Sequence, residues 1–321
     1  MVRERRNEVN QAGEGQAGAE RAEGKGLLAI VAAVMAFSWG FVLVKIVPLP
    51  AAQLGFMRLI FSVVILGPLA WRLRIPWPRL SVLVVGAGVM FGLHQLLFIS
   101  ATQHTSIAIV TLIGALQPLL VSMVSRRTIG EVVPLRLVLS SLLALVGVTV
   151  VVQANLGDSS RSLYGDALSV VNLLVFVAYF LFSRTARDRG GHTLTFTTTV
   201  FAIAAVIVAP ALLLSGGAQG GVRVPTLAEG ALVLLMAMGP GNGHLLVNWA
   251  HTRVSAALSS LVLAMVPLLS SIWAAIVFGE PYGPRHVAGM LLVIAAIEGG
   301  RRAERRRRDE PDEVAEVAPY E

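Results

Sequence analysis

Two histidines and a few amides and aromatic rings stand out because they sit where charged residues do not. His94-Gln95 and His244 fall inside long uncharged stretches, and His244 and Asn248, four residues apart, share one face of a helix. Asn172 and Tyr179, seven apart, are again nearly on one face, and Asn242 follows Gly239-Pro240-Gly241 directly. Trp39, beside Gly40, lies deep in an apolar run, unlike Trp71, Trp77 and Trp249 at the ends of such runs. Imidazole, carboxamide and phenol groups supply neutral donors and acceptors, and imidazole can also titrate near neutral pH. This is chemistry for holding a polar solute rather than for breaking bonds. Cysteine is absent, no HExxH zinc motif occurs, and Ser270 or Ser271 near a histidine lacks the orienting acid of a triad. No G-x-x-x-x-G-K-[ST] phosphate loop is present either. The expectation is a non-enzyme with no cofactor and no metal, whose site residues are Trp39, His94, Gln95, Asn172, Tyr179, Asn242, His244 and Asn248. Taken singly, Asn172 or Gln117 could serve as an ordinary helix–helix hydrogen bond, worth about 0.6 kcal/mol; the set in matching places favours a cavity.

Composition says which elements must position these groups. Hydrophobic residues make up 55% of the chain and charged ones 14%, against roughly 25% charged in a soluble domain. Uncharged runs of 46 residues (between Arg79 and Arg126) and 26 residues (between Arg253 and Glu280) are long enough for two bilayer crossings and one, at about 20 residues per crossing. The pattern predicts an all-α integral membrane protein with ten transmembrane helices, at about 27–44, 53–71, 80–99, 106–124, 135–152, 166–183, 194–214, 231–247, 254–278 and 286–297. The tenth is the weakest, with an uncharged run of only 12 residues.

The chain is written twice. At an offset of 149, Ser106 meets Ser255, Pro118-Leu119-Leu120 meets Pro267-Leu268-Leu269, Gly130-Glu131 meets Gly279-Glu280, and Arg136 meets Arg285. A repeat sets the architecture that every motif must fit. Five crossings per copy leave the second copy upside down, so the repeats are inverted: 26–153 and 165–300, joined by a connector at 154–164 and flanked by tails at 1–25, read as disordered, and at 301–321. With both termini inside, inner segments collect 21 Lys and Arg and outer segments four, Lys45, Arg161, Arg223 and Arg285. This bias predicts a multi-pass protein of the inner (plasma) membrane with both termini cytoplasmic. Because the basic residues follow topology, they give no footprint for nucleic acid; the expected partners are the lipid bilayer and a small-molecule substrate, with a homodimer compatible.

Inverted five-span repeats are a device of secondary transporters, whose site lies between the halves near interrupted helices. Here the third span has Gly86, Gly88 and Gly92 before His94-Gln95, the eighth has Gly239-Pro240-Gly241 before His244, and Gln95 falls on His244 at offset 149. Arg58 reads as snorkelling or interhelical near one end of the second span, so the cavity would carry no fixed positive charge. Lys45 and Arg184, equivalent at offset 139 together with Gly26 and Gly165, read as interface anchors. Gly130 and Gly279 read as left-handed helix caps, with Glu131 and Glu280 then placed at the N-terminus of the following helix.

Small residues, a mid-helix proline, Gly-Glu and a Gly-bearing apolar helix occur in both copies, at 106–131 and 255–280, with Trp39-Gly40, Gly165-Asp166 and 142–147 beside them. Together these motifs resemble the EamA-type members of the drug/metabolite transporter superfamily, over about 27–299. The resemblance implies ten helices around a central cavity and, in bacterial members, export of amino acids or other small metabolites. The expected function is export of a small polar metabolite such as an amino acid by alternating access, with efflux of drugs or apolar compounds as the alternative. The short tenth span departs from the family pattern, which runs longer.

Overall fold

The computed structural model describes residues 2–153, 162–214, 222–279 and 282–309. Among them, nine helices are long and apolar enough to cross a bilayer: Glu20–Ile46, Ala51–Arg72, Val82–His104, Ile107–Thr128, Leu135–Gln153, Leu163–Asp188, Thr193–Leu214, Leu227–Ala250 and Ala256–Phe278. The tenth position is taken by Pro284–Asp309. That helix is longer than the 286–297 expected, because helix-favouring Arg, Glu and Ala continue past the apolar part and Glu298 pairs with Arg301 and Arg302 one turn on. The first helix likewise begins at Val2, not near residue 27. The segment expected as a disordered tail is helical, as its alanines, glutamates, glutamines and arginines favour and as the lack of any proline permits. Most of the connector (154–161), Glu280 and 310–321 lie outside the described residues.

The helices pair as an inverted repeat requires. The second span packs on the seventh, the fourth on the ninth and the fifth on the tenth, each on its own counterpart, while the third packs on the sixth and the first, equivalently, on the eighth. Lipid offers no hydrophobic drive for such pairs, so close backbone approach does the work. At the crossing of the fifth and tenth spans, a Cβ on Gly147 would lie 2.8 Å from the Gly289 carbonyl oxygen, and one on Gly289 would lie closer still to that of Gly147.

The glycines of the third span serve the same purpose. A Cβ on Gly88 would meet Ile203 at 2.6 Å, and one on Gly92 the Ala204 carbonyl at 2.9 Å, both on the seventh span. Val82–His104 is therefore one unbroken helix, a correction to its reading as interrupted. The interruptions fall elsewhere. The fourth span splits into Ile107–Gly114 and Gln117–Thr128, the ninth into Ala256–Leu263 and Val266–Phe278, each with proline at the start of its second half. Proline lacks the N–H that would continue the ladder and suits a first helical turn. In the eighth span, Ala237–Gly241 is a π-helical turn around Pro240.

The corners repeat as well. Ser106 Oγ accepts from Ile109 N and Ser255 Oγ from Leu258 N, capping the fourth and ninth spans. Gly165 packs against the His104–Thr105 corner and Gly26 against Arg253–Val254, in each case too closely for a Cβ. Asp166 adds an acceptor for Thr105 Oγ1 at 2.7 Å, and Lys45 donates to the Thr105 carbonyl. Gly130 and Gly279 adopt φ of 68° and 71°, the left-handed turn expected of them. Glu131 corrects its expectation. It lies ahead of the fifth span, which starts at Leu135, and instead accepts the backbone N–H of Ala256 at 3.0 Å, satisfying the start of the ninth span in the other repeat. Burial pushes its carboxyl up, against the pull of the Arg184 guanidinium.

Candidate functional site

A cavity of about 130 Å³ lies between the two repeats. Its wall comes from equivalent spans of both copies: the first and sixth (Phe37, Asn172, Phe176), the third and eighth (His94, Pro240, His244), and the fourth and ninth (Gln117, Ala264, Pro267). Both helix breaks open on it. Ala115 and Ala264, equivalent at offset 149, line it at the breaks, and Gln117 and Val266 start the half-helices that follow. Backbone freed from regular helix within a membrane is tolerated where it faces such a cavity.

The histidines anchor the two sides. His94 Nδ1 lies 2.7 Å from Asn172 Oδ1; with that oxygen as acceptor, the ring holds its proton on Nδ1 and leaves Nε2 free to accept. Phe176 packs on His94 with ring centroids 4.5 Å apart, and Phe37 packs on His244 at 4.6 Å. Phe37 and Phe176 are equivalent at offset 139, so each repeat contributes one phenylalanine that lies across a histidine of the third or eighth span. Phe91 and Tyr179 close the gap behind, Phe91 lying 4.6 Å from His244 and 4.8 Å from Tyr179.

Of the eight residues singled out from sequence, His94, Asn172 and His244 line the cavity. Gln95 and Tyr179 are fully buried just behind it, Gln95 against Arg58 and Tyr179 against Phe91 and His244. Asn248 ties the eighth span to the seventh, its Nδ2 donating to Thr197 Oγ1 and its carbonyl accepting from Arg187 Nε. Asn242 turns its amide to Met238 Sδ. Trp39 stacks on Trp273 at 4.1 Å and keeps 36% of its surface exposed, outside the cavity wall.

Arg58 is the residue that sequence reasoning missed. It is 4% exposed, lines the cavity and donates from Nη1 to Gln95 Oε1 at 2.6 Å. Its position five residues into a span read from residue 53 suggested an end, but the helix starts at Ala51 and Arg58 points inward beneath the π turn, where a Cβ on Gly241 would lie 3.5 Å from Arg58 Nε. The wall therefore holds a fixed positive charge, which corrects the expectation of a cavity without one. Gln117 was also passed over, and its Nε2 is buried without a hydrogen-bond partner among the described residues. Phe37 and Phe176 had a legible signal, the same 139 offset that aligns Lys45 with Arg184.

This arrangement can bind and enclose a small solute, with polar groups at the centre and rings around them. A family model described as the EamA-like transporter family matches residues 24–153 and again 163–298. The chain belongs to the EamA-like transporter family. The two matched segments are the two repeats, and with them the all-helical bundle is that of a membrane transporter. No curated protein matches the chain. Among solved structures 29 chains match; one, described only as "Crystal structure of protein", is 20% identical, with a TM-score of 0.70 over 88% of this EamA-like chain and 98% of that one. At that identity the likeness shows the fold.

Proposed function

We propose that this EamA-like chain is a secondary exporter of a small polar organic metabolite, working by alternating access through the cavity between its repeats, in the inner membrane with both termini cytoplasmic. The observation that carries this reading is the wall itself: equivalent residues of inverted repeats, helices broken at equivalent positions and a polar centre, the arrangement through which repeats rock about a fixed site. The charge bias of 21 to four supports this orientation. The amino-acid expectation rested in part on a cavity without Arg or Lys; with Arg58 in the wall, an acidic group on the solute gains a partner. The aromatic share of the wall supports efflux of apolar compounds as the second reading.

The test is the extracellular metabolite profile of cells overexpressing the protein, beside cells making His244→Ala at equal membrane abundance. Excess of one metabolite class outside the wild-type cells alone supports export through this cavity. Equal excess from both strains removes His244 from the site, and raised drug resistance without any metabolite excess moves the reading to efflux.

A further inference from the structure

The one fully charged side chain of the cavity wall among the described residues is a cation, Arg58. The Arg58 guanidinium has Gln95 as its one hydrogen-bond partner among the described residues, and no carboxylate lies against it. Gln117 is 6% exposed, lines the cavity and leaves Nε2, a donor, without a partner among the described residues. Gln95, whose Oε1 is used by Arg58, likewise has an Nε2 with no partner among the described residues. The half-helices Gln117–Thr128 and Val266–Phe278 begin at the cavity and Ile107–Gly114 and Ala256–Leu263 end there, so the opposite partial charges of the helix ends offset at each break and the side chains decide the sign. Against these, the cavity lining contains no Asp or Glu among the described residues. A buried arginine lacking an acidic partner is costly inside a membrane, and ionisable groups kept there mark solute pathways.

We propose that the cavity recognises the carboxylate of an organic anion through Arg58, with Gln117 as a further donor and with Phe37 and Phe176 packing on the apolar or aromatic body of the solute. A guanidinium presents paired N–H groups that match a carboxylate in one plane. No carboxylate among the described residues of the wall answers an ammonium group, so the class is the net monoanion rather than the zwitterion or the cation. The inference rests on the reading of this cavity as a transport site and narrows its substrate class.

Detergent-purified full-length protein is titrated with phenylacetate, its neutral amide phenylacetamide, its amine counterpart phenethylamine, and phenylalanine, with thermal stability as the readout. Phenylacetate is expected to raise the melting temperature saturably, and the other three by at least tenfold less at equal concentration. Arg58→Gln is expected to abolish the phenylacetate response. Gln95→Glu, which gives Arg58 an internal counterion and keeps the fold, is expected to abolish it too. A response to phenethylamine, phenylacetamide or phenylalanine equal to or stronger than that to phenylacetate, no response to any of the four, or a phenylacetate response surviving in Gln95→Glu would overturn the proposal. Proteoliposome flux separates the two claims. Phenylacetate binding without saturable flux contradicts the transport reading alone, whereas saturable flux of the amine but not of phenylacetate contradicts the anion site alone.

Discussion

Arg58 of the second span and Gln95 of the third are joined by a 2.6 Å hydrogen bond inside the bundle, and this bond is what holds a charged guanidinium beside the cavity. The equivalents of the two residues in the other repeat, Thr197 at offset 139 and His244 at 149, include no guanidinium, so the cavity is electrostatically one-sided although its backbone is nearly symmetric. Hydrogen bonds to charged groups contribute about 1.5–3 kcal/mol. Gln95→Leu is expected to lower stability by about that amount, and Gln95→Asn by less; chemical denaturation of the purified protein in detergent measures both.

The phenylalanine–histidine pairs lead to a second expectation. Phe37→Ala and Phe176→Ala open the same wall from opposite repeats, so each should weaken apparent substrate affinity about tenfold or more, while leaving the protein folded. Trp39→Phe, altering a ring that stacks on Trp273 outside the wall, should leave the affinity within about twofold. Each tenfold step corresponds to about 1.4 kcal/mol. Concentration dependence of flux in proteoliposomes checks all three, and an affinity loss confined to Trp39→Phe would contradict the geometry.

At the crossing of the fifth and tenth spans, Gly147 and Gly289 each face the other's carbonyl at a distance no side chain allows. Gly147→Leu or Gly289→Leu should destabilise the bundle by about 1–3 kcal/mol, the usual cost of overpacking, or more if the helices separate. The Gly114→Ala change, at a glycine with open space around it, is the comparison that should cost little. Thermal melts of the three variants decide it.

Glu131 reaches from the loop between the fourth and fifth spans to cap the ninth. Removing a capping acceptor costs about 0.5–2 kcal/mol. Glu131→Ala is expected to lose that much, whereas Glu131→Gln, whose carboxamide oxygen still accepts from Ala256, should lose less. Equal losses would show that the negative charge near Arg184, and not the cap, is what the residue contributes.

The fold was readable from the sequence because its signals are periodic and redundant: uncharged runs set the spans, the 149-residue offset set the copies, and Gly130 and Gly279 turned out to occupy the left-handed turns their types demand. The site was read less completely, for physical reasons. Glycines mark both broken helices and tight helix contacts, and only the partner helix tells them apart, as Gly88 against Ile203 shows. An arginine one-third of the way along an apolar helix can snorkel or turn inward, and the choice for Arg58 lies with Gln95 and Gly241 on other spans. Asn248 and Trp39 have the residue types of a binding wall but face Thr197 and Trp273. Which face of a helix looks on a cavity depends on helix rotation, which a single sequence of nearly uniform hydrophobicity hardly records.

The central claim, that the cavity opens to one side of the membrane at a time, can be tested directly because the chain contains no cysteine. Thr111→Cys places a single thiol in the cavity wall, to be labelled with a membrane-impermeant maleimide added from either side of sealed, oriented vesicles. Alternating access predicts labelling from each side in separate experiments, slowed by saturating substrate, with no leak of small ions across the vesicles. Labelling from neither side, or labelling accompanied by a continuous ion leak, would contradict a carrier whose two repeats rock about this cavity.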